Sequence, residues 1–315
     1  MRAVKHTDAG IDLVDVDEPS LLNGGSDGVL VHVRSSSICG SDLHMLAYGP
    51  QPWVLGHEFA GALDDGTPVA VDPGNQCGVC VLCVGGLRHL CSDNPILGIG
   101  LDGGLAERVR VRPEALVPLP AGLPVEHACL VEPVAVSIHG MAVAGIVGGE
   151  RVAVVGAGSI GLTAVAAATA SRCEVALEAR NDAQRTAGER LGARGPAKGE
   201  YDIVFEAAGS QSAVDRALEL VRPGGTVVFL STLWDPVTIP GVAAMMKEAT
   251  LKWAFTYAQH AGGRDLDTAA ALLARRPEIA ATLITHRLPL DDAPEAFRIA
   301  EQRAEGAIKV VVEPA

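Results

Sequence analysis

The stretch Val154-Val155-Gly156-Ala157-Gly158-Ser159-Ile160-Gly161 constrains what this chain can fold into more than any other. The apolar run Arg151–Val155 reads as a strand, and Ser159–Ala170 reads as a helix. The glycines between them follow a G-x-G-x-x-G spacing, each with its own physical reason. Gly156 makes the tight turn, Gly158 lets backbone approach a pyrophosphate, and Gly161 lets helix and strand pack closely. Ser159 and Ile160 open the helix, whose N-terminus favours anionic phosphate. In this strand–turn–helix setting the motif is a dinucleotide fingerprint, with Gly156, Gly158, Ser159, Ile160 and Gly161 as cofactor-binding residues.

The same alternation continues downstream. Glu174–Leu177 reads as a second strand and Asp182–Leu191 as a second helix. Tyr201–Ala207, Thr226–Leu230 and Thr250–Phe255 extend the strand series. Strands alternating with helices imply an α/β, Rossmann-type doubly wound parallel sheet, placed here at residues 138–262. The rest is different in kind. Residues 29–34, 68–72 and 107–112 alternate apolar and polar between turns such as Asp64-Asp65-Gly66 and Asp102-Gly103-Gly104. A helix at Leu290–Gln302 and a strand at Ala307–Val312 close the sequence. These segments, 1–137 with 263–315, are assigned to a second, irregular β-rich domain.

The 2′ position of the cofactor should be read at the end of the second strand, in Ala176-Leu177-Glu178-Ala179-Arg180-Asn181. Counting back from Leu191-Gly192-Ala193 puts the strand tip at Ala179, followed by Arg180. A small residue followed by arginine accommodates a 2′-phosphate, which points to NADP over NAD. Glu178, one position earlier, is the alternative: a carboxylate for a ribose hydroxyl and hence NAD. Arg180 and Arg185 can equally be solvated surface residues.

Cysteine usage points to metal. Four of the seven cysteines form Cys77-x-x-Cys80-x-x-Cys83-x(7)-Cys91. Four thiolates on one short loop close a tetrahedral zinc site with no open position, so this ion would be structural. An odd cysteine count, without an apolar leader after Met1, argues against a disulfide framework and places the chain in the cytoplasm. The longest apolar-looking stretch, Ile160–Ala170, is too short to span a bilayer. A formal charge of −13 with no Lys/Arg cluster excludes nucleic acid and anionic membrane as partners.

A second donor set is dispersed: Cys39-Gly40-Ser41-Asp42-Leu43-His44, Gly56-His57-Glu58 and Val131-Glu132-Pro133. Together they offer a thiolate, an imidazole and carboxylates, the ligand chemistry of a zinc ion that keeps an exchangeable position. These motifs, in this order and with the four-cysteine loop, make the chain resemble the zinc-containing medium-chain alcohol dehydrogenases. Gly-Ser-Asp after Cys39 and the glutamate at 132 are most similar to the sorbitol and threonine dehydrogenase branch. The resemblance implies a GroES-like fold for the β-rich domain and two zinc ions per chain. It implies hydride transfer between a small alcohol or polyol and NAD(P), and a homodimer or homotetramer. Cys39 and His57 would bind the catalytic zinc, and Glu58 or Glu132 would complete the set directly or through water. Asp42 would orient His57, Ser41 would take the substrate proton, and His44 would pass it on.

Two departures from the family are visible. Only 17 residues separate Cys39 from His57, which shortens the substrate loop around Tyr48 and Trp53. The segment between Leu191 and Tyr201 is also short, which should alter the outer edge of the cofactor domain. Two rival readings remain: a zinc-free reductase of activated double bonds on the same fold, and a zinc-stabilised dinucleotide-binding protein without turnover.

Overall fold

The computed structural model describes residues 1–19, 28–260, 262–303 and 306–314. The chain divides into two compact units, one of Met1–Glu132 with Ala258–Ala315, the other of Pro133–Tyr257. The divisions fall about five residues before those set at 137/138 and 262/263 from the sequence. At the first, helix α3 (Val131–Ala144) begins before the boundary read from the sequence; at the second, the chain returns immediately after the last strand of the parallel sheet.

The discontinuous unit begins with a hairpin of β1 (Arg2–Thr7) and β2 (Gly10–Asp15). It continues through β3 (Val29–Ser37), α1 (Gly40–Met45), β4 (Glu58–Ala62), β5 (Pro68–Val71) and the single turn α2 (Val81–Val84). The short strands β6 (Ile96–Leu97) and β7 (Gly100–Leu101), then β8 (Arg108–Val111) and β9 (Leu116–Pro118), complete its first part. The interior is almost wholly aliphatic, as a chain with 3% aromatic residues requires. Val31, Val33, Val69, Val71, Val109 and Val111 pack around Phe59 on one side of the sheet.

The other unit carries β10 (Arg151–Val155), α4 (Ser159–Ala170), β11 (Glu174–Glu178), α5 (Asp182–Leu191), β12 (Tyr201–Glu206) and α6 (Gln211–Leu220). It ends with β13 (Val221–Phe229), α7 (Gly241–Met246) and β14 (Thr250–Trp253). All five strands are parallel, in the order β11-β10-β12-β13-β14. The direction of winding reverses between β10 and β12, so the turn after β10 lies at the switch point where such sheets bind ligands. Pro223-Gly224-Gly225, just ahead of the strand expected at Thr226–Leu230, lies inside β13. The register shifts there between the Tyr201–Val221 and Ile203–Thr226 pairs, as in a bulge. The short segment after Leu191 makes no sixth strand. Arg194 N–H donates to Val175 O at 2.8 Å and Leu177 N–H to Gly195 O at 3.0 Å, so an irregular stretch covers the edge of β11.

The chain then returns through β15 (Gln259–His260), β16 (Gly263–Arg264), α8 (Asp265–Arg275), α9 (Glu278–Leu283), β17 (Ile284–Pro289), α10 (Ala293–Gln302) and β18 (Lys309–Glu313). The large sheet of the discontinuous unit has the order β17-β18-β3-β4-β5-β9, with β8 also paired to β3. Its last strand therefore runs inside the sheet rather than at its margin. One helical run differs from the sequence expectation: Val125–Ala144, not Ile160–Ala170, is the stretch long and apolar enough by length and composition to cross a bilayer. It is 67% buried within the protein, and its Ser137 hydroxyl lies 2.7 Å from that of Thr163 on α4, as in a core helix.

Candidate metal and cofactor sites

The dispersed donor set converges. Cys39 ends the β3 connection and caps α1, where the Asp42 Oδ2 atom accepts the Cys39 N–H at 2.9 Å. Gly56 has φ +94, and a Cβ there would lie 2.8 Å from the Leu105 backbone nitrogen. That turn needs glycine, and it precedes the buried His57 and Glu58 at the start of β4. Ligand atoms of Cys39, His57 and Glu58 all lie within 4.8 Å of one another. Tetrahedral zinc bonds of 2.0–2.3 Å put donors about 3.3–3.8 Å apart, so these groups need little movement to share one ion.

Asp42 is buried and its Oδ1 stands 3.1 Å from His57 Nδ1. The ring is thereby turned so that Nε2 is left for a metal. Burial opposes a charged imidazole here, but the Asp42 carboxylate and the Cys39 sulfur outweigh it and hold the His57 pKa well above its ordinary value. A metal ion would replace that proton. Ser41 Oγ lies 3.4 Å from His57 Nε2, and His44, one turn further along α1, stacks edge-on against Tyr48 at 5.9 Å.

The two carboxylates differ. Glu58 is fully buried and held by Lys309, whose Nζ donates to Oε1 at 2.8 Å and Oε2 at 2.7 Å, while Ser37 donates to Oε2. Lys309 also donates to Ile38 O at 3.2 Å. Burial would lower the pKa of this lysine, yet Glu58 and Cys39 outweigh it and keep the ammonium charged. Glu132 is buried at the start of α3 but falls outside the mutually close set of Cys39, His57 and Glu58. Burial and the nearby Glu58 push its carboxyl up to about 8, with His57 and Lys309 opposing. Lys309 went unread in the sequence. The one signal available was a lysine opening the apolar run Val310-Val311-Val312.

The four-cysteine loop is gathered as its spacing requires. The sulfurs of Cys77 and Cys83 are 4.0 Å apart, Cys80 and Cys91 3.8 Å, and Cys91 and Cys77 3.5 Å. A zinc ion with four thiolates at 2.3 Å sets sulfur–sulfur distances near 3.8 Å. Disulfide bonds at about 2.05 Å do not fit, and all four cysteines are free. The Cys83 N–H donates to the Cys80 sulfur at 3.4 Å and helps lower that thiol to about 6. Cys83 itself is pushed up to about 12, by burial first and by its sulfur neighbours second. Amides that favour thiolates and crowding that opposes them fit a cation at the centre.

The glycine turn has the geometry the fingerprint requires. Gly156 has φ +107, and a Cβ there would sit 2.9 Å from the Ala208 Cβ. A Cβ on Gly161 would fall 1.8 Å from Gly156 O, whereas one on Gly158 would meet nothing within 4 Å. The space is open where a pyrophosphate would approach. Helix α4 starts at Gly158 without a side-chain cap, and the Ser159 hydroxyl is buried with no hydrogen-bond partner in the protein. Unsatisfied N–H groups and an unused hydroxyl fit a phosphate there. Ile160 lies in the same first turn, half-buried. β11 ends at Glu178, one residue before the tip counted from the sequence; beyond it Arg180 is exposed and Arg185 pairs with Asp182. Glu178 does not stand free: Arg216 donates to its Oε1 from Nη2 at 2.8 Å and from Nε at 3.3 Å.

Comparison with known proteins accords with this geometry. Residues 25–121 match the alcohol dehydrogenase GroES-like domain, and residues 176–312 the zinc-binding dehydrogenase domain. The chain belongs to the zinc-containing medium-chain alcohol dehydrogenase family. Within it, the chain is 30% identical to the L-galactonate-5-dehydrogenase of Escherichia coli, covering 87% of this chain and 88% of that protein. It is also 30% identical to the sorbitol dehydrogenase of Bacillus subtilis, over 99% of this chain and 96% of that one. A zinc-binding dehydrogenase of Sinorhizobium meliloti, solved with NADP bound, superposes with a TM-score of 0.89 at 30% identity, covering 99% of each chain.

Proposed function

We propose that this chain is a zinc-dependent dehydrogenase that passes a hydride between a small alcohol or polyol and NADP. The convergence of Cys39, His57 and Glu58 beside an Asp42-oriented imidazole carries the reading. Cys39 and His57 would hold the catalytic ion, Glu58 and Glu132 would adjust its remaining positions, and Cys77, Cys80, Cys83 and Cys91 would hold a structural one. Bound there, zinc supplies Lewis acidity toward an alcohol oxygen, and the nicotinamide supplies the hydride acceptor. Ser41 takes the proton released by the substrate hydroxyl and His44 moves it onward. Asp42 fixes the His57 ring, and Lys309 holds Glu58 in place by compensating its charge. NADP is preferred because Ala179 leaves room just past the end of β11, Arg180 is exposed beside it, and Glu178 is engaged elsewhere.

A homo-oligomer is part of the proposal. Strand β14 is an edge of its sheet, and Val242, Met245, Met246, Trp253 and Phe255 are all exposed in that region of sequence. Apolar surface of this kind is commonly covered by another subunit.

The test is metal counting followed by initial rates with a panel of alcohols and polyols and both cofactors. Two zinc ions per chain and turnover with at least one polyol are expected. Ser41→Ala should slow turnover by about 10²–10⁴ with zinc content unchanged, the usual worth of general-base help. One zinc ion per chain, with turnover of activated double bonds instead, would overturn the reading.

A further inference from the structure

We infer that Arg216 is a specificity-determining residue for the 2′ end of the cofactor, acting by tying down Glu178. The inference rests on the NADP reading above and concerns residues of the parallel-sheet unit alone. Glu178 ends β11 directly opposite Val155, and its carbonyl accepts the Gly156 N–H at 3.1 Å. A carboxylate there stands beside the glycine turn, at the last residue of the strand.

The direction of the side chain follows from the strand. Residues two apart share a face. Ala176 packs in the same core cluster as Ala213, Val214 and Ala217 of α6. Glu178 leaves the strand on that side and meets Arg216, also on α6. The guanidinium is fixed by more than Glu178: it donates to Glu219 Oε2 at 3.0 Å and to Ala197 O at 3.4 Å. Both Glu178 and Arg216 are part-buried, with side chains 29% and 39% exposed, so neither is a freely solvated surface charge.

Left unpaired, a carboxylate at this place has two consequences. It offers acceptors to a ribose diol, which favours NAD, and it repels a 2′-phosphate. Arg216 occupies one carboxylate oxygen and cancels the charge. Arg180, exposed two residues on, then sets the sign of the field just past the strand. Preference for the 2′-phosphate thus depends on an arginine of α6 that is itself turned toward the end of β11.

The experiment uses the zinc-loaded full chain and isothermal titration with 2′,5′-ADP and with 5′-AMP, which differ only in the 2′-phosphate. The wild type's own preference tests the cofactor reading: tighter 2′,5′-ADP supports NADP, and tighter 5′-AMP removes it. The role of Arg216 is read separately, from the change on substitution. Arg216→Met should lower the ratio of 2′,5′-ADP to 5′-AMP affinity about tenfold, as one unscreened charge near another does. Adding Glu178→Gln to Arg216→Met should restore the ratio, because the freed carboxylate is then gone. An unchanged ratio in Arg216→Met, or a fall that the double variant leaves in place, would overturn the inference and leave the pair a packing element.

Discussion

Replacing Lys309 by Met tests the electrostatic balance of the candidate catalytic site most directly. The ammonium lies 2.7 and 2.8 Å from the two oxygens of Glu58, and both side chains are essentially inaccessible, at 2% and 0% exposure. At an effective dielectric constant of 20, a pair at this distance attracts with about 6 kcal/mol. Relief of the lysine's own desolvation returns part of that. The net cost of breaking a buried pair by removing one partner is about 3–5 kcal/mol. For a unit of this size each kcal/mol shifts Tm by roughly 2–4 °C, so Lys309→Met should melt about 10 °C lower. Calorimetry of the zinc-loaded wild type, Lys309→Met, Glu58→Gln and the double variant gives the full cycle. The double variant should recover most of the loss, since it leaves no charge behind. A shift under about 2 °C in Lys309→Met, or no recovery in the double variant, would refute the claim that Lys309 compensates Glu58.

Two further outcomes follow from the geometry. Gly161→Ala would put a Cβ 1.8 Å from Gly156 O, so dinucleotide affinity should fall at least about tenfold while zinc content stays unchanged; unaltered titration curves would contradict the assigned packing. Asp72 is pushed up from 3.8 to about 6, mainly by burial, with the Gly74 amide and then Arg264, Arg112 and Arg88 opposing. A carboxyl whose folded pKa is raised stabilises the fold fully below its unfolded pKa and loses that contribution as pH rises through the folded value. Stability should therefore drop by about 1–3 kcal/mol between pH 4 and 6, a range that allows for partial solvent screening. Asp72→Asn, which can still accept from Gly74 N–H, should flatten this part of the urea-midpoint profile; an unchanged slope would assign it to other groups.

Local patterns were legible in the sequence to the residue. Strand Arg151–Val155 and helices Ser159–Ala170 and Asp182–Leu191 have the bounds that periodicity and flanking glycines set. The gathering of the four cysteines was equally open to reading, because they are local in sequence. Pairs distant in sequence were not. Lys309 lies 251 residues from Glu58, and Arg216 lies 38 from Glu178. Nothing in either local stretch states the partner, so Glu178 reads as a free ribose acceptor when it is already engaged. The amphipathic helix Gln211–Leu220 that carries Arg216 was passed over in favour of its flanking strands. The division between units leaves no local mark in the sequence, because α3 runs through it without a break.

The inner position of β18 has a consequence for biosynthesis. The strand lies between β17 and β3, and it leaves the ribosome after every other strand of that sheet. Residues 133–257 form their sheet from contiguous sequence and can be complete while translation continues. Until β18 emerges, the other unit has an open lane beside β3, and Glu58 at the head of β4 lacks its cationic counterpart. Closure of this sheet around Glu58 thus waits on the strand that carries Lys309.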